Sequence, residues 1–224
     1  MAIMTGVDTK ASDHEPYESL IGLKAPTGTI KPSNLCHFVL RTKPENYQKM
    51  VKWYIDFTGG FATHVAKSIT FIAYDEEHHR IGIAPREDAI PRPADGSPVV
   101  GLGHAAFGYK SLSELADSYE QKKKMGIRPV WVVNHGPTTS MYYVDPDGNM
   151  VETQVDNFDT VEETVAFMGK EEFHKNPMGA DFHPEEFVKR VRSGEDDRAI
   201  KKRPDVGPRT RKEDFPPQTY LATC

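Results

Sequence analysis

Between His135 and Glu152 the chain sets an imidazole, a phenol and a carboxylate in one short run, His-Gly-Pro-Thr-Thr-Ser-Met-Tyr-Tyr-Val-Asp-Pro-Asp-Gly-Asn-Met-Val-Glu. Side chains of these three kinds serve metal ligation and proton transfer. Residues 139–144 are β-branched and aromatic, 145–149 form a turn, and 150–155 resume as a strand, so the run reads as a β-hairpin. If the hairpin is symmetric about Asp147, Tyr142 and Glu152 stand opposite each other on one sheet face, with Cβ atoms about 5 Å apart. Tyr143 then points to the other face. An ordinary Asp-Gly hairpin with a solvated Glu has the same local pattern, so the rest of the chain must decide.

Two further imidazoles occupy matching places, in Leu35-Cys36-His37-Phe38-Val39 and Leu102-Gly103-His104-Ala105-Ala106. On period-two strands His37 shares a face with Leu35 and Val39, and His104 with Leu102 and Ala106. Singly, such a residue is more often a core histidine satisfied by the backbone than a ligand. Equivalent positions in a duplicated unit change that weighting.

The duplication is visible in element order. Residues 35–41 read as a strand. Residues 44–57 read as a helix whose apolar face is Tyr47, Met50, Val51, Tyr54 and Phe57, stopped by Gly59-Gly60. Strand-like runs follow at 61–66, 69–74 and 79–84, then a Pro-rich connection over 85–98. The order recurs: a strand at 102–109, a capping box from Ser111 to Glu114 opening a helix with Leu112, Leu115 and Tyr119 on one stripe, and strands at 129–134, 139–144 and 150–155. Two consecutive βαβββ units are expected, an α+β class. Residues 1–32 read as an N-terminal arm, 33–157 as the paired domain, and 158–224 as a charged extension with helical stretches at 161–168 and 184–191. Its basic runs, Lys201-Lys202-Arg203 and residues 209–212, are diluted by acidic neighbours. They suggest a solvated tail wrapping the core or a partner subunit.

Composition sets the outer bounds. At 224 residues, 38% hydrophobic and 27% charged, the chain suits a globular protein with one sizeable core. No run reaches the roughly 18 apolar residues of a membrane span. Neither a signal peptide nor a disulfide framework is apparent from the N-terminus, Cys36 and Cys224, which suggests the cytoplasm. A formal charge of −5 gives no reason to expect nucleic acid.

The order His135, Met141-Tyr142, Asp145-Pro146-Asp147-Gly148, Glu152 resembles the signature of extradiol ring-cleavage dioxygenases. The duplicated βαβββ plan over about residues 34–155 resembles the vicinal oxygen chelate superfamily, in which two modules pair into an open, cup-shaped barrel around one metal. The resemblance implies that His37, His104 and Glu152 ligate Fe(II), with Mn(II) as the alternative. Two imidazoles and a carboxylate leave adjacent positions for substrate and O₂. It further implies a catechol-type substrate, with His79 as the acid/base over the O₂ position and His135 and Tyr142 on the substrate oxygens. His79 fits better than His78 because it shares parity with Ile81 and Ile83 and should point inward, although a His pair at a strand start can also be a plain polar edge. Phe107, Tyr109 and Trp131 are candidate pocket walls, and the chain resembles a one-domain form expected to assemble as a homo-oligomer.

Three other functions compete. A glyoxalase-like lyase or isomerase draws a second carboxylate ligand from the last strand of the first module, and residues 79–84 contain no Glu or Asp. A thiol transferase of the fosfomycin-resistance type uses the same ligands without needing the His135/Tyr142 pair. A metal-free aromatic-binding protein could lose the triad at no cost, yet all three positions are occupied here.

Overall fold

The computed structural model describes residues 22–93 and 99–209. Most of the expected arm, and residues 210–212 of the second basic run, lie outside the described residues. The chain divides into two units, Met1–Leu35 and Cys36–Cys224. In the first, the Thr29 amide and hydroxyl both donate to the Pro26 carbonyl and close a turn.

The second unit holds both modules. The first contains β1 (Phe38–Thr42), a 3₁₀ turn, α1 (Tyr47–Thr58), β2 (Phe61–Val65), β3 (Thr70–Ala73) and β4 (Ile81–Pro85). The second contains β5 (His104–Gly108), α2 (Leu112–Lys124), β6 (Trp131–Asn134), β7 (Thr138–Val144) and β8 (Met150–Asp156). The strand orders are β1-β4-β3-β2 and β5-β8-β7-β6-β9, and neither sheet closes on itself. The fold is therefore α+β, two βαβββ modules in the open arrangement expected.

Local chemistry sets the helix ends. Gly59 caps α1 at φ 67°, a left-handed conformation in which a side chain is strained. At α2 the Ser111 hydroxyl accepts the Glu114 amide at 3.1 Å while the Glu114 carboxylate reaches back to the Lys110 amide.

Each helix covers one sheet face. Met50, Tyr54 and Phe57 of α1 join Ile72, Ile81 and Ile83, while Leu112, Leu115, Ala116 and Tyr119 of α2 join Met141, Tyr143, Val151 and Val155 in one continuous core. Burying each large apolar side chain is worth about 1.5–3 kcal/mol. The modules meet where the Phe57 ring lies 5.2 Å from Tyr143 and 5.7 Å from Phe107. Nearby, the Tyr54 hydroxyl donates to Asp145 at 3.0 Å. Strand alternation sends His104, Ala106, Trp131, Ser140, Tyr142 and Glu152 to the other face of the second sheet.

Several strands begin later than their hydrophobic patterns suggested, among them β1 and β4. The β1–β4 ladder starts at Phe38 opposite Ile81, with the Phe38 amide donating to the Arg80 carbonyl. Just before it, the Arg80 guanidinium is held by Asp75 and the Cys36 carbonyl, fixing a loop instead of a strand. His37 and His79 both precede the ladder.

After β8 the chain forms α3 (Val161–Met168), α4 (Glu171–Lys175), β9 (Ala180–Asp181), α5 (Pro184–Arg192) and α6 (Asp197–Lys201). Through residue 209 this extension is built into the fold. β9 pairs with β6, joining Ala180 to Asn134 and Asp181 to Val133. Phe187, Val188 and Ile200 enter the core, and the Tyr119 hydroxyl donates to Glu185 at 2.6 Å. No helix among the described residues is long and apolar enough to cross a membrane.

Candidate active site

The β7–β8 hairpin has the expected register, with Tyr142 opposite Glu152. Parallel pairing of β5 with β8 sets Ala106 beside Glu152 and brings His104 in from the strand start. Glu152 is only 3% exposed, and its Oε2 lies 3.0 Å from His104 Nε2. Burial pushes the Glu152 carboxyl upward, but hydrogen bonds from His104 and Ser140 outweigh it and hold the group below its ordinary range. The same bond to Glu152 raises His104 against its own partial burial.

Tyr142 connects this pair to His135. Its ring stands edge-on to His104 at 5.4 Å, and its hydroxyl lies 2.9 Å from His135 Nε2. Burial, and then the neighbouring Glu152 charge, raise the phenol, so Tyr142 keeps its proton at neutral pH. His135 Nδ1 lies 2.6 Å from the Met178 carbonyl. Burial lowers the imidazole more than its neighbours raise it, which favours the neutral form with a free lone pair. Trp131 stacks on Tyr142 at 4.8 Å and meets His135 edge-on at 5.4 Å, forming an apolar wall.

The first module contributes a separate group. The His79 ring lies tilted against both Phe71 and His37, with centroids 4.4 Å apart in each pair. Phe71 pairs with Gly82, so it lies on the face opposite Ile81 and Ile83. The parity argument that put His79 on the core side is therefore corrected: the residue precedes β4 and does not follow its alternation. His78 is exposed, as expected, while His79 is half-buried. Desolvation first, then His37 and His78, lower the His79 imidazole.

Among the described residues no group of three or more His, Cys, Asp or Glu side chains is close enough to hold a metal ion. Two of the expected donors, His104 and Glu152, converge, and the third, His37, lies against His79. The donor chemistry nevertheless suits a divalent first-row transition-metal ion. Glu152 is buried among His104, Ser140 and Tyr142, an environment that supplies no fixed cation to balance its charge.

Two proposed pocket walls are corrected. Phe107 faces the core, against Phe38 and Phe57, and Tyr109 is bonded to Ser118 and Lys122 on that side. Only Trp131 of the three lies on the Glu152 face. Sequence reasoning missed Ser140 and the supporting groups from the extension, Asn176, Met178 and Asp181. Asn176-Pro177-Met178-Gly179 carries a turn signature, but nothing in it indicates that its carbonyl meets an imidazole more than forty residues earlier.

Residues 35–153 match the Glyoxalase/Bleomycin resistance protein/Dioxygenase superfamily. Two curated proteins of Rhodococcus globerulus are similar. Biphenyl-2,3-diol 1,2-dioxygenase 3 is 40% identical over 167 residues, 74% of this chain and 85% of that protein. Biphenyl-2,3-diol 1,2-dioxygenase 2 is 38% identical over 148 residues, 66% of this chain and 76% of that protein. Among solved structures, lactoylglutathione lyase from Agrobacterium tumefaciens superposes with a TM-score of 0.44 at 18% identity, covering 55% of this chain and 94% of that one. A fosfomycin resistance protein from Listeria monocytogenes gives 0.45 at 20% identity, covering 61% and 99%. With a family match across more than half its length and relatives at about 40% identity over most of theirs, this chain belongs to the Glyoxalase/Bleomycin resistance protein/Dioxygenase superfamily.

Proposed function

We propose that the chain is an extradiol dioxygenase that opens the ring of a 3-substituted catechol, biphenyl-2,3-diol being the first candidate. The C–C bond next to the vicinal hydroxyls breaks and both atoms of O₂ enter the product. The observation that carries this reading is the convergence of His104, Glu152, Tyr142 and His135 on one sheet face, in a chain about 40% identical to two biphenyl-2,3-diol dioxygenases.

His104 and Glu152, with His37 from the other module, would hold Fe(II), or Mn(II) in its place. When bound, that ion supplies the redox chemistry and a site at which catechol and O₂ meet. The protein's own part is positioning and proton transfer. A catechol hydroxyl set against Tyr142 can pass its proton to the phenol oxygen as Tyr142 passes its own to His135 Nε2. The resulting imidazolium is favoured by the Glu152 charge. Trp131 and the Tyr142 ring offer a flat apolar surface to an aromatic substrate. His79 is assigned the acid/base role in the oxygen-dependent steps. Cytoplasmic residence and homo-oligomeric assembly belong to the same reading.

The test is oxygen uptake by anaerobically prepared, Fe(II)-loaded protein given biphenyl-2,3-diol. One O₂ consumed per catechol, with a yellow ring-opened product, is expected. Tight catechol binding without oxygen uptake would instead indicate an aromatic-ligand-binding protein, and glutathione-dependent turnover a lyase or transferase.

A further inference from the structure

His135 makes one bond at each ring nitrogen, and the two bonds come from different parts of the chain. Nε2 meets the Tyr142 hydroxyl of the hairpin at 2.9 Å, whereas Nδ1 meets the Met178 carbonyl of the extension at 2.6 Å. A carbonyl can only accept, so a neutral His135 must carry its proton on Nδ1. Nε2 is then a bare lone pair that can only accept, so in the His135–Tyr142 contact the hydroxyl is the donor, with the Glu152 carboxylate as its competing acceptor. Free neutral imidazoles of histidine favour the opposite form, with the proton on Nε2. In that form His135 would face the carbonyl with a lone pair and Tyr142 with a donor.

The Met178 carbonyl is itself firmly held. The Asn176 side chain, buried in the fold, accepts the Gly179 amide at 2.7 Å and donates to the Gly179 carbonyl at 3.2 Å, closing a tight turn around Pro177 and Met178. Gly179 has φ 99°, and a Cβ there would fall 2.2 Å from the Asn134 carbonyl oxygen, so the turn is pressed against the strand that leads into His135. Arg203 closes the arrangement from the far side. Its Nη1 donates to the Asn176 carbonyl at 2.6 Å and to the His135 carbonyl at 3.1 Å, joining the turn to the histidine backbone. Asp181 accepts from Trp131 Nε1 at 2.8 Å, which orients the indole stacked on Tyr142. Asn176, Met178, Gly179, Asp181 and Arg203 lie beyond residue 153, where the match to the superfamily ends.

We infer that the 176–181 segment, clamped by Arg203, is a positioning device that imposes the Nδ1–H tautomer on His135 and so fixes Tyr142 as the donor of the pair. Asn176 and Arg203 are positioning residues; Asn176 acts through the turn that carries the Met178 carbonyl, and Arg203 ties that turn to the His135 backbone. The consequence for turnover rests on the function proposed above, while the tautomer itself does not.

The experiment uses the full chain labelled with ¹⁵N-histidine and a long-range ¹H–¹⁵N correlation spectrum at pH 7.5, with His135 identified from a His135→Gln spectrum. The wild type should show a protonated Nδ1 and an unprotonated Nε2. Asn176→Ala and, independently, Arg203→Met should move His135 toward the Nε2–H form. They should lower kcat with biphenyl-2,3-diol by about 10- to 100-fold, the range for losing an outer partner of a metal-bound histidine, taken here as the scale. Bound iron should not change. Asn176→Asp, which keeps the acceptor for the Gly179 amide, should recover part of both effects. A wild-type His135 protonated on Nε2, or folded Asn176→Ala and Arg203→Met proteins with unchanged His135 signals, would overturn the inference. If the wild type lacks dioxygenase activity altogether, the proposed function fails, and the tautomer measurement still decides the positioning claim.

Discussion

Lys122 lies at the junction of the two modules and is only 3% exposed. Its ammonium sits 4.5 Å above the Phe57 ring of α1, 2.5 Å from Ser118 Oγ and 3.1 Å from the Tyr109 hydroxyl, with no carboxylate among these partners. Burial pushes its pKa down from 10.5 to about 8. A depressed lysine pKa means that the unfolded chain binds the proton more tightly than the folded one. The cost is full below pH 8, shrinks as pH rises from about 8 to 10.5, and is gone above that window. At about 1.4 kcal/mol per pKa unit the cost at pH 7 is ~3 kcal/mol. The cation–π contact offsets about 1–2 kcal/mol of this. Lys122→Met keeps the stem and removes the charge. It leaves no orphan, because the Ser118 and Tyr109 hydroxyls already bond each other at 2.7 Å. The variant should therefore be more stable at pH 7 by about 1–2 kcal/mol, and its advantage should vanish by pH 10.5. Urea unfolding of both proteins at half-unit steps from pH 7 to 10.5 measures this. The difference between them removes the contribution of Tyr54, Tyr142 and Tyr143, whose raised pKa values act equally in both. A variant less stable than wild type at pH 7, or a difference that does not change with pH, would refute the argument.

His135→Asn and Tyr142→Phe should retain metal and lower kcat/KM for biphenyl-2,3-diol by about 10²–10⁴-fold and by a smaller factor respectively, as steady-state oxygen uptake would show. Tyr143→Phe is the control: its hydroxyl faces the core, 3.7 Å from Met141 sulfur, so activity should stay within about twofold if alternation assigns the faces correctly. His79→Asn should slow the steps after oxygen is mixed with the catechol complex in a stopped-flow experiment, whereas exposed His78→Asn should not. Asp145 is 4% exposed and accepts from the Asp147 and Asn149 amides, Asn149 Nδ2 and the Tyr54 hydroxyl. Asp145→Ala should cost about 3 kcal/mol or more by urea unfolding, because several buried donors lose their acceptor at once.

The parts of this molecule legible in the sequence are those written in local periodicity. The 3.6-residue stripe of α1, the cap of α2 and the symmetric turn around Asp147 all yield the observed elements, and the hairpin places Tyr142 opposite Glu152 as derived. Parity failed at His79, where an ion pair from Arg80 to Asp75 keeps the residue off the strand and its ring crosses to Phe71. It gave no basis for choosing Phe107 as a wall, since a strand pattern says which residues share a face but not which face is covered by helices. The extension was least legible. Its two-residue strand β9 carries no periodicity, and the bond that matters most to the site comes from a backbone carbonyl, which every residue possesses.

Metal stoichiometry in the ligand variants bears most directly on the proposed centre. Wild-type protein and the His37→Ala, His104→Ala and Glu152→Ala variants would be loaded with Fe(II) under anaerobic conditions, desalted and assayed for iron, with circular dichroism confirming that each is folded. The wild type should hold about one iron per chain, as expected for a site built from two imidazoles and one carboxylate. Each variant should lose most of it, together with oxygen uptake on biphenyl-2,3-diol. A folded Glu152→Ala or His37→Ala protein that keeps its full iron content would contradict the assignment of these side chains as the metal-binding set.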